Sequence, residues 1–436
     1  HQPRAKRVIY LFQSGGPSQL DLFDPKPGLE KLAGKQLPDS IRGSQRITTM
    51  TSGQKTLPVL PSQYRFRPHG ESGLSLSDQL PRLAGVADEL CLVRSMHTEA
   101  INHDPAITFF QTGSQLAGRP SIGSWLAYGL GSDNQNLPAF VAMTDARGRG
   151  LPKNHAQNWG SGFLPGVFQG TRIRNRGTRI DNLQLAKGMT RNRQRSILEI
   201  AANFNRRHFS RHPDQTDLDA RIKSLELAFR MQMAAPEVMS VEQEPAFIKR
   251  MYGLEHGEAR QFGEQCLIAR KLVEAGVRFV QIYSGGNGNE QSWDGHLNIA
   301  DNHRRFALET DQGIGALLAD LRQRGLLDST LVVCGGEFGR TVYCQGKLTK
   351  TTYGRDHHPS CFSYWLAGGG IRGGMSYGKT DDYSVRVVEN PVHVHDLQAT
   401  ILNQLGMDHE QLTYRYQGRY FRLTDIHGKV VHDILS

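Results

Sequence analysis

The chain has 436 residues, 38% of them hydrophobic and 22% charged, with 47 glycines and 19 prolines. That composition excludes collagen-like, coiled-coil and fully disordered classes, and no apolar run reaches the roughly 18 residues needed to span a membrane as a helix. Fifty-two Lys and Arg against 42 Asp and Glu give a net charge of +10, which favours acidic partners: phosphate, sulfate, polyanionic sugars or nucleic acid.

From the N-terminus, Arg7–Phe12 is a short apolar run that ends in a glycine-rich turn, a strand signal. Ser77–Asp88 has helical spacing, and Leu90–Val93 reads as a strand. A helix is expected within 114–131 and a strand at Pro138–Thr144. Residues 150–250 change character: rich in Asn, Gly and Arg at first, then helical. We read them as an inserted basic lid or helical subdomain. Arginines 172, 174, 176, 179, 191, 193 and 195 fall here. A solvated basic face explains such a run better than a nucleic-acid surface, because the aromatic interleaving of single-strand binders is missing.

Beyond the insert, 255–275 is an amphipathic helix and Val277–Tyr283 a strand. Asp301–Arg324 is helical, Leu331–Cys334 and Cys361–Ala367 are strands, and His395–Leu405 is a helix. Such alternation predicts an α/β fold, a mainly parallel central sheet with helices on both faces, in one domain over residues 1–436. The five cysteines (91, 266, 334, 344 and 361) form no CxxC pair, so neither a disulfide scaffold nor a zinc ribbon is expected. The chain does not begin with Met, and we expect that an upstream segment has been removed.

In open α/β sheets, ligands bind beyond the carboxyl ends of the strands, and the polar clusters occupy that place. Gln13-Ser14-Gly15-Gly16 follows the first strand, Asp294 and His296 follow Val277–Tyr283, and Glu337 and Arg340 follow Leu331–Cys334. Asp356, His357 and His358 precede Cys361–Ala367; at most two of the three are expected to face one point. Asp, Glu and His together suit a divalent metal. A hydrogen-bonded loop network is the bland alternative. Asn102, His103 and Asp104 stand before an expected helix whose N-terminal amides favour an anion. A structural cap by Asn102 or Asp104 is the competing explanation.

The segments GGPSQLDLFDPKP, HTEAINHDPAITFFQTG, SWDGHLN, TLVVCGGEFGRT, GRDHHPS and HVHDLQATILNQLG, in this order, resemble the alkaline phosphatase and sulfatase superfamily. More narrowly, they resemble a sulfatase-like family of exported bacterial proteins filed as a domain of unknown function. The resemblance implies a three-layer sandwich, a divalent metal (Zn, Mn or Ca), an anionic ester or glycan as substrate, and a periplasmic or secreted location. Laid on the sulfatase pattern, the Cys or Ser nucleophile falls on His103, and the metal-binding Asp-His pair falls on Glu337-Phe338. Gln13 replaces the acidic residue after the first strand, with Asp21 or Asp24 as stand-ins. The resemblance thus implies a rebuilt site: His103, Arg340 and Asn102 around the reaction, with Asp294, His296, Glu337, Asp356, His357 and His358 as candidate ligands. Hydrolysis of a sulfate or phosphate ester is the leading expectation. The alternative is a non-catalytic protein of the same fold that binds a polyanionic glycan or a protein partner.

Overall fold

The computed structural model describes residues 2–174, 180, 183, 185–212, 216–349 and 352–436, with the side chains of 216–221 excluded. Arg176 and Arg179 lie outside the described residues. Among the described residues a nine-stranded sheet runs through the molecule. Its strands are β1 (Arg7–Gln13), β2 (Leu90–His97), β3 (Phe140–Met143), β4 (Thr171–Ile173), β5 (Phe279–Ser284), β6 (Thr330–Gly335), β9 (Phe362–Ala367), β10 (Met375–Tyr377) and β11 (Val392–His393). The order is β10-β2-β9-β6-β1-β5-β3-β4, with β11 beside β2. Only β9 runs against the rest. Strands β7 (Gly339–Gln345) and β8 (Gly354–His358) form a separate antiparallel hairpin.

The apolar runs alternate, and each parity serves one face. Ile9, Leu11, Val280, Ile282 and Val332 point into one core with the helices α5 (Arg260–Glu274) and α6 (Ile299–Gln323). Val8, Tyr10, Phe12 and Val333 point into the other, with α1 (His103–Thr112), α2 (Ile122–Leu130) and α7 (Val394–Gln404). Each fully buried Val, Leu, Ile or Phe contributes about 1.5–3 kcal/mol of transfer free energy, so both faces hold the sheet. Helices α5 and α6 meet closely because Gly313 opposes Gly263: a Cβ on Gly313 would stand 3.0 Å from the Gly263 Cα.

Among the described residues the 150–250 segment holds two long helices, α3 (Arg191–Phe209) and α4 (Thr216–Met239). Its early part reaches α1, where the Asn154 amide donates to the Asp104 carbonyl at 3.0 Å and to Thr108 Oγ1 at 2.9 Å. All five cysteines are free and buried. No helix among the described residues is long and apolar enough to cross a membrane.

Two segments go beyond or against the sequence reading. Ser77–Asp88 is not one helix. Ser77 closes the strand Leu74–Ser77, and only Pro81–Ala84 is α-helical; Pro81 starts that turn, as a residue without an N–H does best. Gly354–His358, given no element in the sequence reading, is a strand. Its polar residues carry no apolar alternation, so the pairing with β7 could not be read from it.

A candidate metal centre at the carboxyl edge of the sheet

The parallel strands β1, β5 and β6 end together, and the segments that follow them meet. The turn after β1 is tight. Gly15 sits at φ +105°, and a Cβ there would lie 2.5 Å from the Asp294 amide nitrogen. Ser14 holds the opposite segment by accepting the Trp293 N–H at 2.9 Å. The Gly15 N–H donates to Glu337 Oε1 at 2.8 Å, so the three strand ends are bound into one floor.

On that floor His103, Asp294, His296 and His357 each present one ligand atom, all within 4.8 Å of one another, and this group can hold a metal ion. Asp294 is the hub. Its Oδ1 lies 2.6 Å from His296 Nε2 and 3.4 Å from His357 Nε2, and its Oδ2 lies 3.2 Å from His103 Nε2. The three imidazoles are oriented alike. His357 Nδ1 donates to the Ile101 carbonyl at 2.8 Å, His296 Nδ1 to Gln345 Oε1 at 2.5 Å and His103 Nδ1 to Glu337 Oε1 at 2.6 Å. An oxygen partner on Nδ1 puts that proton there and turns the Nε2 lone pair inward, as outer partners of metal-binding histidines do. His103 Nε2 and Glu337 Oε2 are buried without a hydrogen-bond partner, an expensive state unless another group satisfies them. The donor set and these orphaned atoms fit a divalent cation.

Electrostatics bind the same residues. Burial works against the Asp294 charge, but Arg340, then His103, outweigh it and hold the carboxyl far below the usual range. Burial opposes a charge on His103, yet Asp294 and Glu337 together raise its pKa. Burial and the neighbouring His103 push His357 well down. A cation bound among the Nε2 atoms displaces protons, so affinity rises with pH.

The other candidate residues lie elsewhere. The alternation of β8, with a bulge between Arg355 and His357, turns only His357 to the centre. Asp356 accepts from the Thr48 and Thr51 hydroxyls at 2.5 and 2.6 Å. His358 donates from Nε2 to the Val385 carbonyl at 3.0 Å, and its Nδ1 accepts from the Gln45 amide at 2.9 Å. Asp21 pairs with Arg355 at 2.9 Å, and Asp24 with Lys26 at 3.2 Å; neither is among the four converging donors. Asn102 is exposed at the N-cap of α1 and makes no side-chain cap bond.

Arg340 is fully buried, and its nitrogens are engaged by the Gly15, Gly16 and Arg355 carbonyls and by Asp294. It fixes Asp294 rather than standing open to a ligand. Phe338 packs over the centre, its ring centroid 4.4 Å from that of His357 and 5.0 Å from that of His103. Sequence reasoning missed Gln345 and the Ile101 carbonyl. Neither carries a signal, since one is a lone amide in a strand and the other a main-chain oxygen.

A family model described as "Protein of unknown function (DUF1501)" matches residues 5–435. The chain belongs to the DUF1501 family. No curated protein matches it. Among solved structures it is similar to Ps i-CgsB in complex with k-i-k-neocarrahexaose, with 12% identity over 94% of this chain and 74% of that one and a TM-score of 0.41. It is also similar to the PsFucS1 sulfatase from Pseudoalteromonas sp. (12%, 93% and 68%, TM-score 0.38) and to alkaline phosphatase from the Antarctic bacterium TAB5 (11%, 94% and 100%, TM-score 0.36). For this DUF1501 member, chemistry has to be derived from its own side chains.

Proposed function

We propose that the chain is a metal-dependent hydrolase of anionic esters, with a sulfate or phosphate ester as substrate. The observation that carries this reading is the convergence of three Nδ1-anchored imidazoles on Asp294 beyond the carboxyl ends of β1, β5 and β6. With His103 kept for the reaction, two imidazole nitrogens (His296 and His357) and the Asp294 carboxylate favour Zn or Mn over Ca, which prefers an all-oxygen shell. When bound, the ion supplies Lewis-acid polarisation of an ester oxygen. His103 then works at Nε2, where it accepts or returns a proton, because Glu337 occupies its Nδ1. Arg340 keeps Asp294 ionised and in place. The N-terminal amides of α1 draw the anionic group toward His103. The early part of the 150–250 segment, tied to α1 through Asn154, serves as the lid. A periplasmic setting belongs to the same proposal and is supported by the sequence resemblance.

The test is elemental analysis of the purified protein together with a panel of aryl sulfates and phosphate mono- and diesters, with Zn²⁺, Mn²⁺ or Ca²⁺ added. We expect stoichiometric metal, turnover of one ester class, and loss of both in Asp294→Ala. A metal-free variant with full turnover would reject the reading. One observation favours a second reading. No donor of the centre is more than 8% exposed, and Phe338 covers two of them. A metal that holds the fold of a non-catalytic, glycan- or partner-binding protein would be buried in this way. Full metal loading with no turnover on any ester would favour it.

A further inference from the structure

Helices α3 and α4 enclose a cleft of about 550 Å³ against the loop that leads into β3. Arg191, Arg195 and Arg230 line it, with Glu237 as the one acidic residue. Among the described residues Arg191 and Arg195 have no carboxylate partner, and the Arg195 guanidinium rests over the Phe229 ring at 5.8 Å. Arg230 spends Nε on the Gln135 carbonyl at 2.7 Å, which fixes the fork at the rim. Gln232 also lines the cleft, and its Oε1 is buried with no partner. Charges on a solvated face need no concavity and no buried orphan acceptor; this cleft has both.

We propose that this cleft binds an anionic oligosaccharide, with sulfate or phosphate groups on the arginines. A guanidinium grips such oxyanions through paired N–H bonds. Phe229 and Met233 supply apolar surface for ring carbons, and the Gln232 side chain, on turning outward, offers its amide to a sugar hydroxyl. The volume lies in the range of small-ligand sites. Nucleic acid fits less well: stacking needs a series of aromatic platforms, whereas the cleft has Phe229 alone, already covered by Arg195. The cleft is also separate from the metal centre. Its loop enters β3 at the amino end, whereas the centre lies past the carboxyl ends of the parallel strands. The inference therefore does not rest on hydrolysis.

The test is equilibrium binding to the full-length protein at two salt concentrations. The probes are a sulfated hexasaccharide, a phosphorylated one, their neutral counterpart and a single-stranded oligonucleotide. We expect one or both charged sugars to bind, more weakly at high salt, and the neutral sugar not to bind. Each of Arg191→Gln and Arg195→Gln should weaken binding about tenfold, with the thermal midpoint unchanged. Asp294→Asn should leave sugar binding intact even if it ends turnover. Should Arg191→Gln/Arg195→Gln not fold, Arg230→Gln takes its place and is expected to lose affinity likewise. Unchanged affinity in folded arginine variants, tighter binding of the oligonucleotide, equal binding of the neutral sugar, or no sugar binding would overturn the proposal.

Discussion

Arginine is used in opposite ways at the two ends of the sheet. Arg340 and Arg355 are fully buried, and carboxylates and main-chain carbonyls take up their nitrogens. Arg191 and Arg195 are exposed and, among the described residues, have no carboxylate partner. The first pair organises the protein's own structure; the second is left for something outside it. A guanidinium alone in a sequence does not say which, because the answer depends on what the fold brings within about 3 Å of it.

The sharpest way to break the buried half of that contrast is to remove its hub. Asp294→Ala leaves the Arg340 guanidinium buried without its counter-ion. Breaking one side of a buried ion pair costs about 3–5 kcal/mol. Urea unfolding should show a loss of that size, and metal stoichiometry should fall to zero. Asp294→Asn keeps the shape and should lose less stability while still losing the metal. If both variants unfold like the parent, Asp294 is not the hub.

Gly15→Ala tests the floor beneath the hub. An alanine must adopt φ +105° and place its Cβ 2.5 Å from the Asp294 nitrogen. Strained backbone of this kind costs about 1–3 kcal/mol, and the displaced Asp294 should also lower metal affinity. A stable variant with weakened metal binding would show that the turn serves the centre more than the fold.

The sheet was legible in the sequence, and the centre only in part, for a physical reason. Runs such as Val8–Phe12 and Leu331–Cys334 announce buried strands because both parities are apolar. The place of Asp294 and His296 follows from the strand end that precedes them, whereas His357 reaches the centre from the separate hairpin. Which of Asp356, His357 and His358 turns inward does not follow, since the bulge in β8 decides it and no side chain marks a bulge. Glu337 and Arg340 stand after Leu331–Cys334, where the sequence places them. Glu337 Oε1 is taken by His103 and Gly15 while its Oε2 has no partner, and Arg340 is taken by Asp294 and main-chain carbonyls.

Buried histidines away from the centre give a pH test. Burial lowers His303 to about 3 and His358 and His395 to about 4. Each is neutral in the folded chain down to those values, whereas in the unfolded chain it protonates near 6.5. The unfolded state then binds more protons, so stability is full above pH 6.5 and falls as pH drops toward 4 and 3. Each group adds a slope on the order of 1 kcal/mol per pH unit. His303 Nε2 accepts the Ser18 N–H at 2.8 Å. His303→Gln should therefore flatten the acid limb of a stability-against-pH curve while leaving the His358 and His395 contributions in place.

The smallest effect belongs to the exposed arginines. Arg191→Gln and Arg195→Gln remove charges that no described carboxylate balances, from a helix whose N-terminus is capped by Thr190. Removing like charge near a positive helix end should leave stability within about 0.5 kcal/mol of the parent, read as an unchanged denaturant midpoint. Arg340→Gln, in contrast, strips the Gly15 and Gly16 carbonyls and Asp294 of their donors and should cost several times as much. Equal costs for the two kinds of arginine would mean that the α3 guanidiniums are structural after all, and that the cleft between α3 and α4 is held together by them rather than held open for a ligand.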